Sequence, residues 1–179
     1  MSEQRVHLKV HEHTAFVLVR PHYPENVGAS ARAIKTMGFS RLVIVRAGRL
    51  AVPEHAMAFK MSVRAWDVLH ATERHEDLQS AVAGSLVLAT SSRRGLSGVL
   101  TAREAGRLVV AEAERGRDIR ILFGNEKTGL AADELERADH CLRIPMAGDQ
   151  PSINLAQAVQ LVAYEIFVAG LEARARSTE

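Results

Sequence analysis

Cysteine is nearly absent: Cys141 is the only one among 179 residues. An intramolecular disulfide is excluded, and a reducing, cytoplasmic setting is expected. Aromatic residues are scarce at 4%, which argues against aromatic stacking platforms for single-stranded nucleic acid. No apolar run approaches the ~18–20 residues that span a bilayer. Residues 1–9 carry no apolar signal core, so no membrane partner is expected. A strong charge of one sign is also missing. The formal charge is +2 and the pI about 9.0, which permits a phosphate-bearing partner without demanding one. His11 and His13 alternate in a polar stretch with no third ligand near in sequence, so no metal site is expected. No Ser/His/Asp order and no paired carboxylates stand out.

What is present is an ordinary globular composition, 47% apolar and 25% charged, in a chain long enough for one α/β domain with its own core. Residues 1–13 are polar and read as a flexible arm, 14–175 as a single domain and 176–179 as a tail. Residues 14–19 (TAFVLV) suit a buried strand. Pro21 and Pro24 punctuate a loop, Asn26 is placed as an N-cap, and Val27, Ala31 and Ile34 recur at helical spacing until Gly38. Further strands are expected over 42–45, 86–89, 119–123 and 141–144. Helices are expected over 53–61, 78–83, 101–115, 131–137 and 152–174, the last capped by Ser152 and apolar over a wide arc. Strands alternate with helices, so the fold class is α/β: a mostly parallel sheet covered by helices on both faces. Cys141 falls within an apolar strand, where it packs as a small core residue.

In open parallel sheets ligands bind beyond the carboxyl ends of the strands. Three polar loops follow strands directly, at 20–30, 90–95 and 124–130, and a fourth follows Ile144. The loop Gly124–Gly129 has GxxxxG spacing but continues with Leu130 and Ala131. A triphosphate loop needs a lysine and then a hydroxyl there, so that reading fails. No GxGxxG follows a strand. The loop taken alone reads as a tight turn whose glycines permit close backbone approach. Arg32 and Lys35 lie on one face of their helix, off the apolar stripe, and suit phosphate contacts. Arg93 and Arg94 form a second basic pair. Taken alone, both pairs read as solvated surface. Together with Arg20 they are the candidate contacts to a phosphate-bearing partner, and His22 lies beside them.

In order, the motifs resemble one family. Asn26-Val27-Gly28-Ala29-Ser30-Ala31-Arg32-Ala33, with Lys35-Thr36-Met37-Gly38-Phe39, looks like the first motif of the SPOUT RNA methyltransferases. Phe123-Gly124-Asn125-Glu126-Lys127-Thr128-Gly129-Leu130 looks like the second. Ile144-Pro145-Met146 and Ser152-Ile153-Asn154-Leu155-Ala156-Gln157-Ala158-Val159 look like the third. Thr90-Ser91-Ser92-Arg93 resembles a stretch of the TrmH/TrmJ-like branch. The resemblance covers residues 14–170.

It implies a C-terminal trefoil knot, which ordinary topology rules would not propose, and a homodimer with residues of both chains in each site. It implies S-adenosyl-L-methionine as cofactor, lined by Thr90, Ser91, Ser92, Gly124, Glu126, Ile144, Met146, Ser152, Ile153, Asn154 and Leu155. Arg32 would be the catalytic arginine, with Asn26, Glu126, Ser152 and Asn154 completing the polar shell. Methylation of a ribose 2′-hydroxyl is the implied reaction. The branch suggests tRNA, at an anticodon-loop ribose, and ribosomal RNA stays open. Bacterial members of the branch usually carry a carboxyl-terminal extension beyond the catalytic domain. This sequence stops at Glu179, soon after the last expected helix, so either an extension is missing from it or RNA is bound without one. The competing readings are an RNA-binding module that keeps the fold without methylating, and a methyltransferase acting on a base atom. Arginine stays protonated to above pH ~12, so Arg32 is expected to grip phosphate and stabilise developing oxyanion charge rather than act as a base.

Overall fold

The computed structural model of the chain describes residues 6–93, 95–148 and 153–177. In chain order the elements are α1 (Lys9–His13), β1 (Thr14–Val19), α2 (Pro24–Thr36), β2 (Arg41–Val45), α3 (Ala56–Ser62), α4 (Trp66–His70), β3 (Glu73–His75), α5 (Leu78–Val82), β4 (Leu86–Thr90), β5 (Leu100–Thr101), α6 (Ala102–Glu114), β6 (Ile119–Phe123), α7 (Ala132–Leu135), β7 (His140–Arg143) and α8 (Leu155–Arg176). The strands form one sheet in the order β3-β2-β1-β6-β4-β7-β5, and every pairing in it is parallel. Parallel strands need both faces covered, and the core divides accordingly. Phe16 and Leu18 of β1 join Ile44, Leu88, Ile121 and Phe123 on one face, under α2, α6 and α8. Ala15, Val17 and Val19 join Val43, Val45, Val87 and Leu122 on the other, under α5 and Leu135. β1 is buried along its whole length because successive side chains enter opposite cores.

β1 and β6 are sequence-distant neighbours at the centre of the sheet. The chain runs from β1 outward to β2 and β3, then returns to build the other half. The order therefore reverses between β1 and β6, which makes their carboxyl ends a topological switch point. β7 pairs with both β4 and β5, entering between two strands that precede it in sequence.

Several sequence expectations are corrected. Residues 9–13 are not a loose arm: they form α1, and Leu8, Val10 and His11 are buried, Leu8 and Val10 within the main core cluster. Asn26 is not an N-cap, because α2 begins at Pro24 with Tyr23 as the capping position, and proline at the first helical turn loses no hydrogen bond. α8 is capped by Asn154, whose Oδ1 accepts from the amides of Ala156 and Gln157 at 2.9 and 3.3 Å. Ser152, the expected cap, lies outside the described residues. Finally, α8 is long and apolar enough by length and composition to cross a membrane, contrary to the sequence reading. Its buried face (Leu155, Val159, Val162, Ala163 and Ile166) instead packs in the core with α2 and α6. Glu165 on this helix binds Arg103. Cys141 is only half-buried on β7.

Candidate active site

The loops after β4, β6 and β7 and the start of α8 enclose a cleft of about 390 Å³, within the range of small-molecule sites. Residues 90–93 form one wall and residues 123–130 a second. Leu142–Ile144, Met146, Ile153, Leu155 and Ala158 form the rest. Of the expected cofactor residues, Thr90, Ser91, Ser92, Gly124, Glu126, Ile144, Met146, Ile153 and Leu155 all line it.

The Gly124–Gly129 loop is held from several sides. A Cβ on Gly124 would lie 2.3 Å from the Gly129 carbonyl carbon and the Leu130 nitrogen, so only glycine lets the loop fold back on itself. The Asn125 side chain spans the turn. Its Oδ1 accepts from Lys127 N at 2.9 Å and its Nδ2 donates to the Arg20 carbonyl at 2.7 Å. The Arg20 guanidinium forms a bidentate pair with Glu134, both contacts 2.8 Å, and donates to the Gly129 carbonyl at 3.1 Å. Arg20 was expected to meet RNA. The structure shows its guanidinium paired with a buried carboxylate and bracing the loop. Hydrogen bonding from Arg20 lowers the Glu134 pKa despite burial, which pulls the other way. Sequence reading missed Asn125 and Glu134; an Asn two residues after a strand and a Glu three residues after Ala131 were the available signals.

Glu126 carries the polar shell. Its carboxylate accepts from the amides of His22 at 2.8 Å and Tyr23 at 3.2 Å, and from Asn26 Nδ2 at 2.9 Å. Asn26 Oδ1 in turn accepts from Asn154 Nδ2 at 3.0 Å. One residue from each motif thus joins a single hydrogen-bonded line across the switch point. With its capping contacts, Asn154 uses both ends of its amide, which fixes the start of α8 at the cleft.

The remaining expected residues divide. Arg93 lines the cleft and donates to the Leu130 carbonyl at 2.7 Å. Lys35 is held by Asp67 Oδ1 at 2.6 Å and the Arg64 carbonyl at 2.8 Å, so its charge is partly neutralised. Ser152 and Arg94 lie outside the described residues. Arg32 is exposed on α2 and does not line the cleft of its own chain. Six residues separate it from Asn26, about 9 Å along the helix and roughly 240° around it, so the two side chains leave α2 on different sides.

The residues present suit an adenosyl and amino-acid cofactor. Ile144, Met146, Ile153 and Leu155 offer apolar faces for a flat base, and the glycine loop and residues 90–93 offer backbone groups for its edge and for a polar tail.

Comparison with known proteins agrees with this geometry. The model of the SpoU rRNA Methylase family matches residues 13–164. A relative from Photorhabdus laumondii, named tRNA (cytidine/uridine-2'-O-)-methyltransferase TrmJ, is 41% identical over 172 residues, covering 94% of this chain and 69% of its own length. A protein of the same name from Sodalis glossinidius is 40% identical over 161 residues, covering 88% and 62%. The chain thus spans about two thirds of the length of these curated relatives. The crystal structure of a probable methyltransferase from Bordetella pertussis superposes with a TM-score of 0.84 at 31% identity, covering 90% of this chain and 96% of that one. With three motifs joined at one cleft and the family model matched across nearly all of the sheet, the chain belongs to the SpoU rRNA Methylase family, within the SPOUT methyltransferases.

Proposed function

We propose that the protein is an S-adenosyl-L-methionine-dependent RNA methyltransferase that modifies a ribose 2′-hydroxyl, with tRNA as substrate. The observation that carries this reading is the Glu126–Asn26–Asn154 line, which ties all three motifs to one cleft of cofactor size. The names of the relatives support tRNA and the ribose. A base-directed reaction and a silent RNA-binding module are weaker, because the polar shell and Arg32 are all retained. The bound cofactor would supply an electrophilic methyl group on a sulfonium. The chain's residues would do the rest. Glu126 holds the loop after β1 against the loop after β6, so the cleft keeps its shape without reorganising. Arg32, absent from its own chain's cleft, acts in the cleft of a second subunit. There its guanidinium grips a substrate phosphate and stabilises charge developing on the attacking oxygen. Positioning of this kind supplies roughly 7–11 kcal/mol of barrier reduction.

The homodimer is part of the proposal, as is the trefoil knot, which the entry of β7 between β4 and β5 supports. A cytoplasmic location follows from the substrate. The test is methyl transfer from labelled donor to bulk tRNA, with the modified nucleoside identified by mass spectrometry. A ribose-methylated nucleoside is expected. Donor binding without transfer to tRNA or rRNA would leave the RNA-binding module, and a base-methylated product would leave the other reading.

A further inference from the structure

Two of the few aromatic residues meet at the surface, and neither lines the cleft. Trp66, the first residue of α4 and the only tryptophan in the sequence, stacks on Phe59 of α3 with ring centroids 5.1 Å apart and planes within 10°. Each is nearly half exposed, 47% and 46%, and Met61 and Val63 beside them are exposed as well. Large apolar side chains grouped in water mark an interaction surface. Its rim is cationic. Lys60 sits between Phe59 and Met61, and Arg64 lies between Val63 and Trp66; both are exposed. Lys35 reaches this segment through the Arg64 carbonyl and Asp67, and Arg32 lies one turn before Lys35 on α2. Of the acidic groups at this end, Asp67 is held by Lys35 and Glu54 by Arg74.

Flat aromatic faces rimmed by lysine and arginine match single-stranded nucleic acid, whose bases stack and whose phosphates need cations. Phe, Met, Trp and Arg are also enriched at protein interfaces, but the cationic rim of Lys60 and Arg64 favours a phosphate-bearing partner. The low aromatic content argued against any stacking platform, but composition does not show that two rings fold into register.

We propose that Phe59 and Trp66 form a stacking platform for an unpaired nucleobase of the RNA substrate, continuous with the phosphate grip of Arg32. This rests on the proposed function for the identity of the RNA. It adds the site that holds a second nucleotide of it.

Because Trp66 is alone, its fluorescence reports the platform directly. The full chain would be titrated at low salt with tRNA, with an oligoadenylate octamer, and with an abasic ribose-phosphate octamer. Quenching by the first two and not by the third is expected. Trp66→Ala should weaken tRNA binding roughly 5- to 100-fold and raise KM at nearly constant kcat. Trp66→Phe should restore most of the affinity, and donor affinity and sedimentation should stay unchanged. RNA binding without quenching, or unchanged affinity in Trp66→Ala, overturns the platform. Loss of the dimer in Trp66→Ala also overturns it and assigns the patch to a subunit interface. Should Trp66→Ala fail to fold, the contrast between octamers on the unaltered chain still decides. Base-dependent quenching with no methyl transfer by any variant would remove the proposed function and keep the platform. Normal transfer with unaltered KM in Trp66→Ala would do the reverse.

Discussion

At the scale of single residues, two polar side chains sit inside the fold on unequal terms. His11 is buried against Phe39, ring centroids 4.8 Å apart, and its Nδ1 accepts from the Leu8 amide at 3.2 Å. Its Nε2 has no hydrogen-bond partner among the described residues. Burial first, then the neighbouring His7, pushes its pKa below the ordinary 6.5, and the Met37 backbone opposes this. Protonation therefore favours the unfolded chain. The contribution of neutral His11 is complete above pH 6.5 and is lost as pH falls through the folded pKa. Thermal midpoints should drop between pH 7 and pH 5, and His11→Gln should flatten that dependence; an identical slope in the variant would exclude His11 as the cause. Glu134 is the opposite case, a buried carboxylate with a full complement of partners: Arg20 twice and the Ala131 amide at 2.7 Å. Arg20→Ala strands that charge and should cost about 3 kcal/mol in urea unfolding. It should also weaken donor binding, since the Gly129 carbonyl loses its donor. The lesser change Glu134→Gln should cost less in both measurements. Neither residue was legible beforehand. His11 was read as part of a polar arm and Glu134 was not singled out, because sequence shows the charge of a side chain and not what the fold packs against it.

At the scale of elements, legibility followed length and apolar contrast. β1 and β6 emerge with the boundaries the sequence suggested, since short apolar runs between polar residues leave little choice. α4, β3 and β5 are two to five residues long, too short for any periodicity to register. The start of α2 was misplaced because Asn26 has the composition of a cap but spends its amide on Glu126 and Asn154. A tertiary need outranked the local one. The same helix shows why its first motif contains glycine. α3 lies so close that a Cβ on Gly28 would be 1.9 Å from the Ala58 carbonyl oxygen, a backbone atom that cannot step aside. Gly28→Ala must push α3 from α2, at about 1–3 kcal/mol of overpacking. Because α2 carries Asn26 at one end and Arg32 further along, the displacement should lower methyl transfer several-fold more than donor affinity. Calorimetry beside a turnover assay checks this, and equal losses in both would mean that α2 moves the cleft rather than the arginine.

At the scale of the whole molecule, the sequence disclosed which loops matter but not the order that joins them. Motif resemblance placed three segments at one site, and the fold brings Glu126, Asn26 and Asn154 within hydrogen-bonding distance. The strand order that does so rests on pairings between residues a hundred positions apart, such as Leu18 with Phe123, and no local pattern encodes them. Of the expected catalytic residues, Arg32 is the one described residue outside the Glu126–Asn26–Asn154 line, for a reason of helical geometry: Asn26 and Arg32 point away from α2 in different directions, and Asn26 is the one that faces Glu126. A site using both side chains would draw them from two copies of α2, as in the proposed homodimer with composite sites. This can be decided by complementation. Arg32→Ala keeps an intact cleft and lends nothing to its neighbour; Glu126→Ala spoils its own cleft and keeps a working Arg32. Each homodimer should be nearly inactive. Subunits exchanged at random give about half heterodimers, each with one intact site, so about a quarter of the unaltered turnover should return. Recovery at that level, with heterodimers verified by differently tagged chains, places Arg32 in the partner's site. Heterodimers that form and stay inactive would refute the shared site.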